Sequence, residues 1–98
     1  MTNKDFLKTL SLEKTRLEHE LATATEKADD LDDTETLAWT AVVIMEHAPE
    51  EDYTREQCEA IYDAYEQAMR ASEKQADYVE EIENTIEKIK SLMEMYED

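Results

Sequence analysis

The sequence predicts an all-α fold, and three observations carry that prediction. Glycine is absent from the 98 residues and proline occurs once, at Pro49, so tight turns have almost no punctuation. Ala, Glu, Lys, Leu and Met are abundant, and these side chains lose little entropy in a helix. Apolar residues recur at three–four spacing over long stretches. The expected architecture is a three-helix antiparallel bundle or coiled coil, with two long helices and one short, in a single domain spanning 1–98. That length lies near the lower end of what buries an adequate core unaided.

The first helix is expected over about 3–30. Thr2 can cap it, with Asp5 at the third position of a capping box. Leu7, Leu10, Leu17, Leu21, Ala24, Ala28 and Leu31 then form a heptad seam interrupted only at Lys14. Asp29 to Thr34 are expected to end it, because short polar side chains compete for backbone hydrogen bonds.

A short second helix is expected over about 35–48, stopped by Pro49. Leu37 to Met45 carry no charge and leave almost no polar face, so this segment should be buried on all sides. Val42, Val43 and Ile44 also admit a strand, although no second strand candidate exists to pair with it.

The third helix, about 55–96, has the clearest start. Thr54 and Gln57 form a capping box, and Tyr53 and Cys58 occupy the two positions of a hydrophobic staple. From Cys58 through Ile61, Tyr65, Ala68, Ser72, Gln75, Val79, Ile82, Ile86, Ile89 and Met93 to Tyr96, the heptad spacing is strict. Ser72 and Gln75 weaken the seam, and a kink there is the alternative. A short middle helix cannot cover so long a third one. The seam Val79, Ile82, Ile86, Ile89, Met93 and Tyr96 is therefore expected to join two copies in a two-fold homodimer.

Net charge is −17, concentrated in the middle of the chain. Residues 1–31 carry five basic and seven acidic side chains, residues 32–69 one and eleven, and residues 70–98 four and nine. Direct nucleic-acid binding would need the opposite sign, and an anionic leaflet would repel the chain. No uncharged run approaches the ~20 residues of a membrane span, and the N-terminal stretch has no apolar targeting core. A cytoplasmic location is expected. The single cysteine, Cys58, offers neither an internal disulfide nor a thiolate cluster for zinc.

Chemistry finds little purchase. His19 and His47 lack the carboxylate three residues earlier that builds di-iron sites in helical bundles. DDLDDTE has a calcium loop's composition, but read from Asp30 it lacks glycine at the sixth position and has Ala41 at the twelfth. Glu56 with Glu59, and Asp77 with Glu80, resemble the paired acidic motifs of all-α nucleotide pyrophosphohydrolases. The middle of the chain, however, has no base to hold a triphosphate. Cys58 falls on an apolar seam, where an inert thiol is the default. No catalytic triad can be argued, and a phosphate loop needs glycine. The expectation is a non-enzymatic protein without metal or cofactor.

Rows of carboxylates remain. Asp52, Glu56, Glu59, Asp63 and Glu66 step by four and three opposite the Cys58–Ile61–Tyr65 seam, and the row resumes at Glu73, Asp77 and Glu80. Neighbours in such a row stand ~5–6 Å apart between Cβ atoms and repel by a few tenths of a kcal/mol per pair. A solvated outer face, or adaptation to high salt, would account for acid in general; intervening lysines would relieve this repulsion without loss of solubility. In composition, size and helicity the chain is similar to the DNA-mimic inhibitors that phages use against restriction and CRISPR enzymes. That resemblance implies a surface imitating phosphates and a basic nucleic-acid-binding protein as partner. The residues expected to carry it are Asp52, Glu56, Glu59, Asp63 and Glu66, extended by Asp29, Asp30, Asp32, Asp33, Glu50 and Glu51 into one negative surface. The alternative is a coiled-coil assembly chaperone or scaffold acting through its apolar seams.

Overall fold

Two long helices and a short turn make up the chain. The structure, a computed structural model, describes residues 2–97. Helix α1 (Asn3–His47) and helix α2 (Arg55–Tyr96) are joined through a single 3-10 turn at Glu50–Asp52, with no strand among the described residues. The molecule is a rod of 73 × 17 × 15 Å. Both helix starts are capped as expected. The Asp5 amide donates to Thr2 Oγ1 at 3.2 Å, and the Gln57 amide donates to Thr54 Oγ1 at 3.1 Å. In return the Thr54 amide donates to Gln57 Oε1 at 2.8 Å. Two orphan donors are thus satisfied at each start.

The expected break at Asp29–Thr34 does not occur, and the two N-terminal helices are one. The Thr34 and Thr36 hydroxyls donate back to the Asp30 and Asp32 carbonyls, both at 3.0 Å, so they decorate the helix instead of ending it. Packing does the rest. The seam of α1 continues past Leu31 through Glu35, Ala38, Val42 and Met45, each at least half-buried. From Leu7 to Met45 this is a strict three–four progression, matched by the one from Cys58 to Tyr96 on α2. The Val42–Ile44 segment is helical, and α2 runs unbroken through Ser72–Gln75.

The helices pair antiparallel along their whole length. Phe6 meets Tyr96 edge-on at 4.9 Å, and Trp39 meets Tyr65 at 5.2 Å. Between them, Gln75 Nε2 donates to the Ala24 carbonyl at 3.0 Å, which satisfies the polar side chain that weakened the seam. The main core lies towards the termini. Leu10, Leu17 and Ala24 interlock there with Ile82, Ile86 and Ile89, flanked by Phe6, Leu21, Val79 and Met93. The seam expected to join two copies is therefore covered by α1 of the same chain. No mismatch of length remains, since α1 has 45 residues and α2 has 42.

A second correction concerns Leu37–Met45. Only Val42 and Met45 are buried; Leu37 is 72 % exposed, Ile44 57 % and Trp39 49 %. In a two-helix rod each helix has one neighbour, which covers a seam and not a whole circumference.

Burial of this kind is worth roughly 1.5–3 kcal/mol per large side chain. Replacing Ile86 by Ala should cost about 2–4 kcal/mol in a denaturant titration, from lost transfer energy and the cavity left behind. Leu12→Ala, at an exposed position on the outer edge of α1, should stay within about 0.5 kcal/mol.

Candidate functional site

The heptad register sorts every helical charge onto one side of the rod or another. With seam positions labelled a and d, the e and b positions of both helices form one broad face. The g and c positions form the other, and the f positions form the two narrow edges. Antiparallel pairing brings e beside e and g beside g. Glu46 with Tyr62 (both e) and Glu20 with Tyr78 (both g) accordingly meet through hydrogen bonds.

The two broad faces differ in charge. Within the helices, the e/b face carries eleven carboxylates and four bases, and the edges carry six carboxylates and Arg70 alone. The g/c face carries Glu13, Glu20, Asp30 and Glu81 against Arg16, Lys27, Lys74 and Lys88, a net of zero. Arg16 bridges both Glu13 and Glu20 on that face. The excess acid of the chain thus lies on one broad face, the edges, the turn and the C-terminal end.

The sequence-predicted row is where it was expected. Glu56, Glu59, Asp63 and Glu66 are exposed on the first turns of α2, at alternating f and b positions, with Asp52 in the turn before them. Glu50, Glu51 and Asp52 form the 3-10 turn at the tip of the rod. The row is less bare than its sequence suggests. Arg55 bridges Glu59 at 3.1 Å, Arg70 bridges Glu66, and Gln67 donates to Asp63 at 2.8 Å. Because α2 is continuous, the row does not stop at Glu66. It passes Arg70 and proceeds through Glu73, Asp77, Glu80, Glu87 and Glu94 on the same side.

The extension Asp29–Asp33 is not gathered with the turn. It lies about 27 Å along α1 from the tip, at the level of Arg70 and Lys74 on α2. Its members also diverge. Asp29 and Asp32 share the acidic face, Asp30 lies on the neutral one, and Asp33 lies on the opposite edge from the α2 row. The single negative surface expected from the sequence is instead a long face to which only part of this block contributes.

Sequence reasoning missed the aromatic centre of the acidic face. Trp39, at an e position, packs on Tyr65 and leaves a shallow cleft lined also by Asp32, Glu35 and Thr36. Continuing the α1 seam past Asp29 would have found it. Nearer the tip, Met45, Tyr53, Cys58 and Tyr62 line a second cleft, which holds both staple residues, one of them the free thiol. Among the described residues no three His, Cys, Asp or Glu side chains converge to hold a metal ion. DDLDDTE is helical rather than a loop, and the pairs Glu56–Glu59 and Asp77–Glu80 stand about 30 Å apart along α2. No described helix is long and apolar enough to cross a membrane. No protein family, curated protein or solved structure matches the chain.

Two phenols titrate unusually. Tyr62 donates to Glu46 at 2.9 Å and Tyr78 donates to Glu20; these hydrogen bonds, with lesser help from burial, push both above the ordinary tyrosine value of 10.0. A raised folded pKa means the linked stability is complete below pH 10 and is lost as pH climbs through the folded values. Absorbance titration of the phenolates should show both Tyr62 and Tyr78 late, and Glu20→Gln should bring Tyr78 back without moving Tyr62. At neutral pH the many unpaired carboxylates repel one another, so added sodium chloride should raise the melting temperature by screening. A melting temperature that falls between low and moderate salt would contradict this distribution of charge.

Proposed function

We propose that the protein is a non-enzymatic inhibitor whose acidic face imitates nucleic-acid phosphates and occupies the basic groove of a DNA- or RNA-binding protein. One observation carries this reading. A single unbroken helix, α2, holds an exposed line of carboxylates from Glu56 to Glu94 on a rod 17 Å across. The row holds nine carboxylates over about 57 Å of helix, about one per 6 Å. A single nucleic-acid strand carries one per ~3.4 Å. Steering between complementary charges makes such association fast and sensitive to salt.

The acidic face also offers what phosphates alone would lack. Trp39 and Tyr62 stand half-exposed within it, and residues of this type supply most of the energy at protein interfaces. A coiled-coil scaffold acting through its heptad seams is less well supported, because the two seams close on each other inside one chain. The basic partner, an action inside a host cytoplasm and the likeness to phage anti-restriction and anti-CRISPR inhibitors belong to this proposal.

The test is capture from host lysate with the full chain as bait, eluted by a salt gradient. The captured nucleic-acid-binding protein should leave at moderate salt and be displaced by duplex DNA. Glu56, Glu59, Asp63 and Glu66 together replaced by Gln should lower its affinity at least tenfold, about 1.4 kcal/mol, with helicity by circular dichroism unchanged. Full binding by that variant would sink the proposal, and so would a partner indifferent to salt and DNA.

A further inference from the structure

The neutral g/c face has no assigned role, and its composition changes along the rod. From the turn to about the level of Thr34 and Ala71 it carries no charge at all. Leu37, Ala41 and Ile44 of α1 lie there beside Ala60, Ala64 and Ala71 of α2, every one of them exposed. Lys27 and Lys74 stand just beyond this strip, and the acidic turn Glu50–Asp52 lies at its other end.

From this arrangement we infer that the uncharged strip is the contact between two copies of the chain, packed face to face and antiparallel over their turn-proximal halves. Charge selects both the partner and the arrangement. Any other broad contact between two chains of net −17 would press carboxylates together, whereas the g/c face carries no net charge. A two-fold axis across the rod, near Ala41 and Ala64, lays the strip upon itself. It also carries the acidic turn of each copy to the level of the other's Lys27 and Lys74. An axis along the rod would set the two acidic turns side by side. With the transverse axis α1 crosses α1 of the other copy, so Leu37 of one packs near Ile44 of the other, and alanines at the centre permit close approach. The strip is about 24 Å long on a rod about 15 Å wide. Laid upon itself it buries about 700 Å² for the pair, the size of a weak, reversible contact. The acidic faces remain outward, one on each side of the four-helix assembly. The inference draws on the neutral face and the acidic turn, and it does not depend on phosphate mimicry by the row from Glu56 to Glu94.

Sedimentation equilibrium of the full chain tests it. The expected result is a reversible dimer of the 11.5 kDa chain that strengthens from low to moderate salt, as the repulsion between two chains of net −17 is screened. Leu37→Asp and Ile44→Asp, at exposed positions that the fold does not need, should each give a monomer of unchanged helicity. Lys27→Glu with Lys74→Glu should weaken the dimer about tenfold or more. A disulfide between two copies of an Ala41→Cys variant, in a Cys58→Ser background, should form readily, because that residue sits at the axis. A wild-type chain that stays monomeric at millimolar concentration would overturn the inference. So would a dimer that keeps its affinity in Ile44→Asp, or one that does not cross-link through position 41.

Discussion

The rest of the structure depends on one constraint: the seams of two helices must stay in register for the length of the rod. From Leu7 to Met45 and from Cys58 to Tyr96 each helix presents a side chain to the other at three–four spacing, and neither progression slips. The interlocked Leu and Ile layers near the termini supply most of the apolar burial. The middle is lean, with Ala28, Glu35, Ala38, Ala68 and Ser72 only half-buried. Continuity of the backbone, rather than local burial, carries the register across it. The Gln75 bond to the Ala24 carbonyl is the polar fastening in that stretch.

Register then dictates electrostatics. A chain with 27 carboxylates and ten bases could scatter its charge evenly. Fixed heptad positions confine the excess to one broad face and the edges, and leave the opposite face balanced. The repulsion along the α2 row opposes folding and is eased by Arg55 and Arg70 at two points. The protein therefore has two unlike surfaces, one strongly acidic and one without net charge.

Much of this was legible in the sequence, and the failures share a cause. The all-α class, the caps at Thr2 and Thr54, the α2 seam and the outward row from Glu56 to Glu66 follow from spacing and side-chain chemistry. Asp29–Thr34 do not break α1 because the packing of Leu31, Ala38 and Val42 on α2 outweighs local propensity there. A division of α1 there implies a short, uniformly apolar middle helix and an α2 too long for its partners; one continuous α1 of 45 residues beside an α2 of 42 removes both. Glu35 hid the continuity, being a charged residue at a seam position. The sorting of faces was legible as well, but only after the α1 register had been carried through the acidic block.

The common register requires α1 to be one helix, and backbone chemical shifts with amide hydrogen exchange over residues 28–38 test that directly. Helical shifts and measurable protection through Asp29–Thr36 are predicted, with amides slowing towards the flanking seam. Coil-like shifts and unprotected amides at Asp32–Thr34 would divide α1 into two helices. The common register, and with it the separation of acidic and neutral faces, would then be lost.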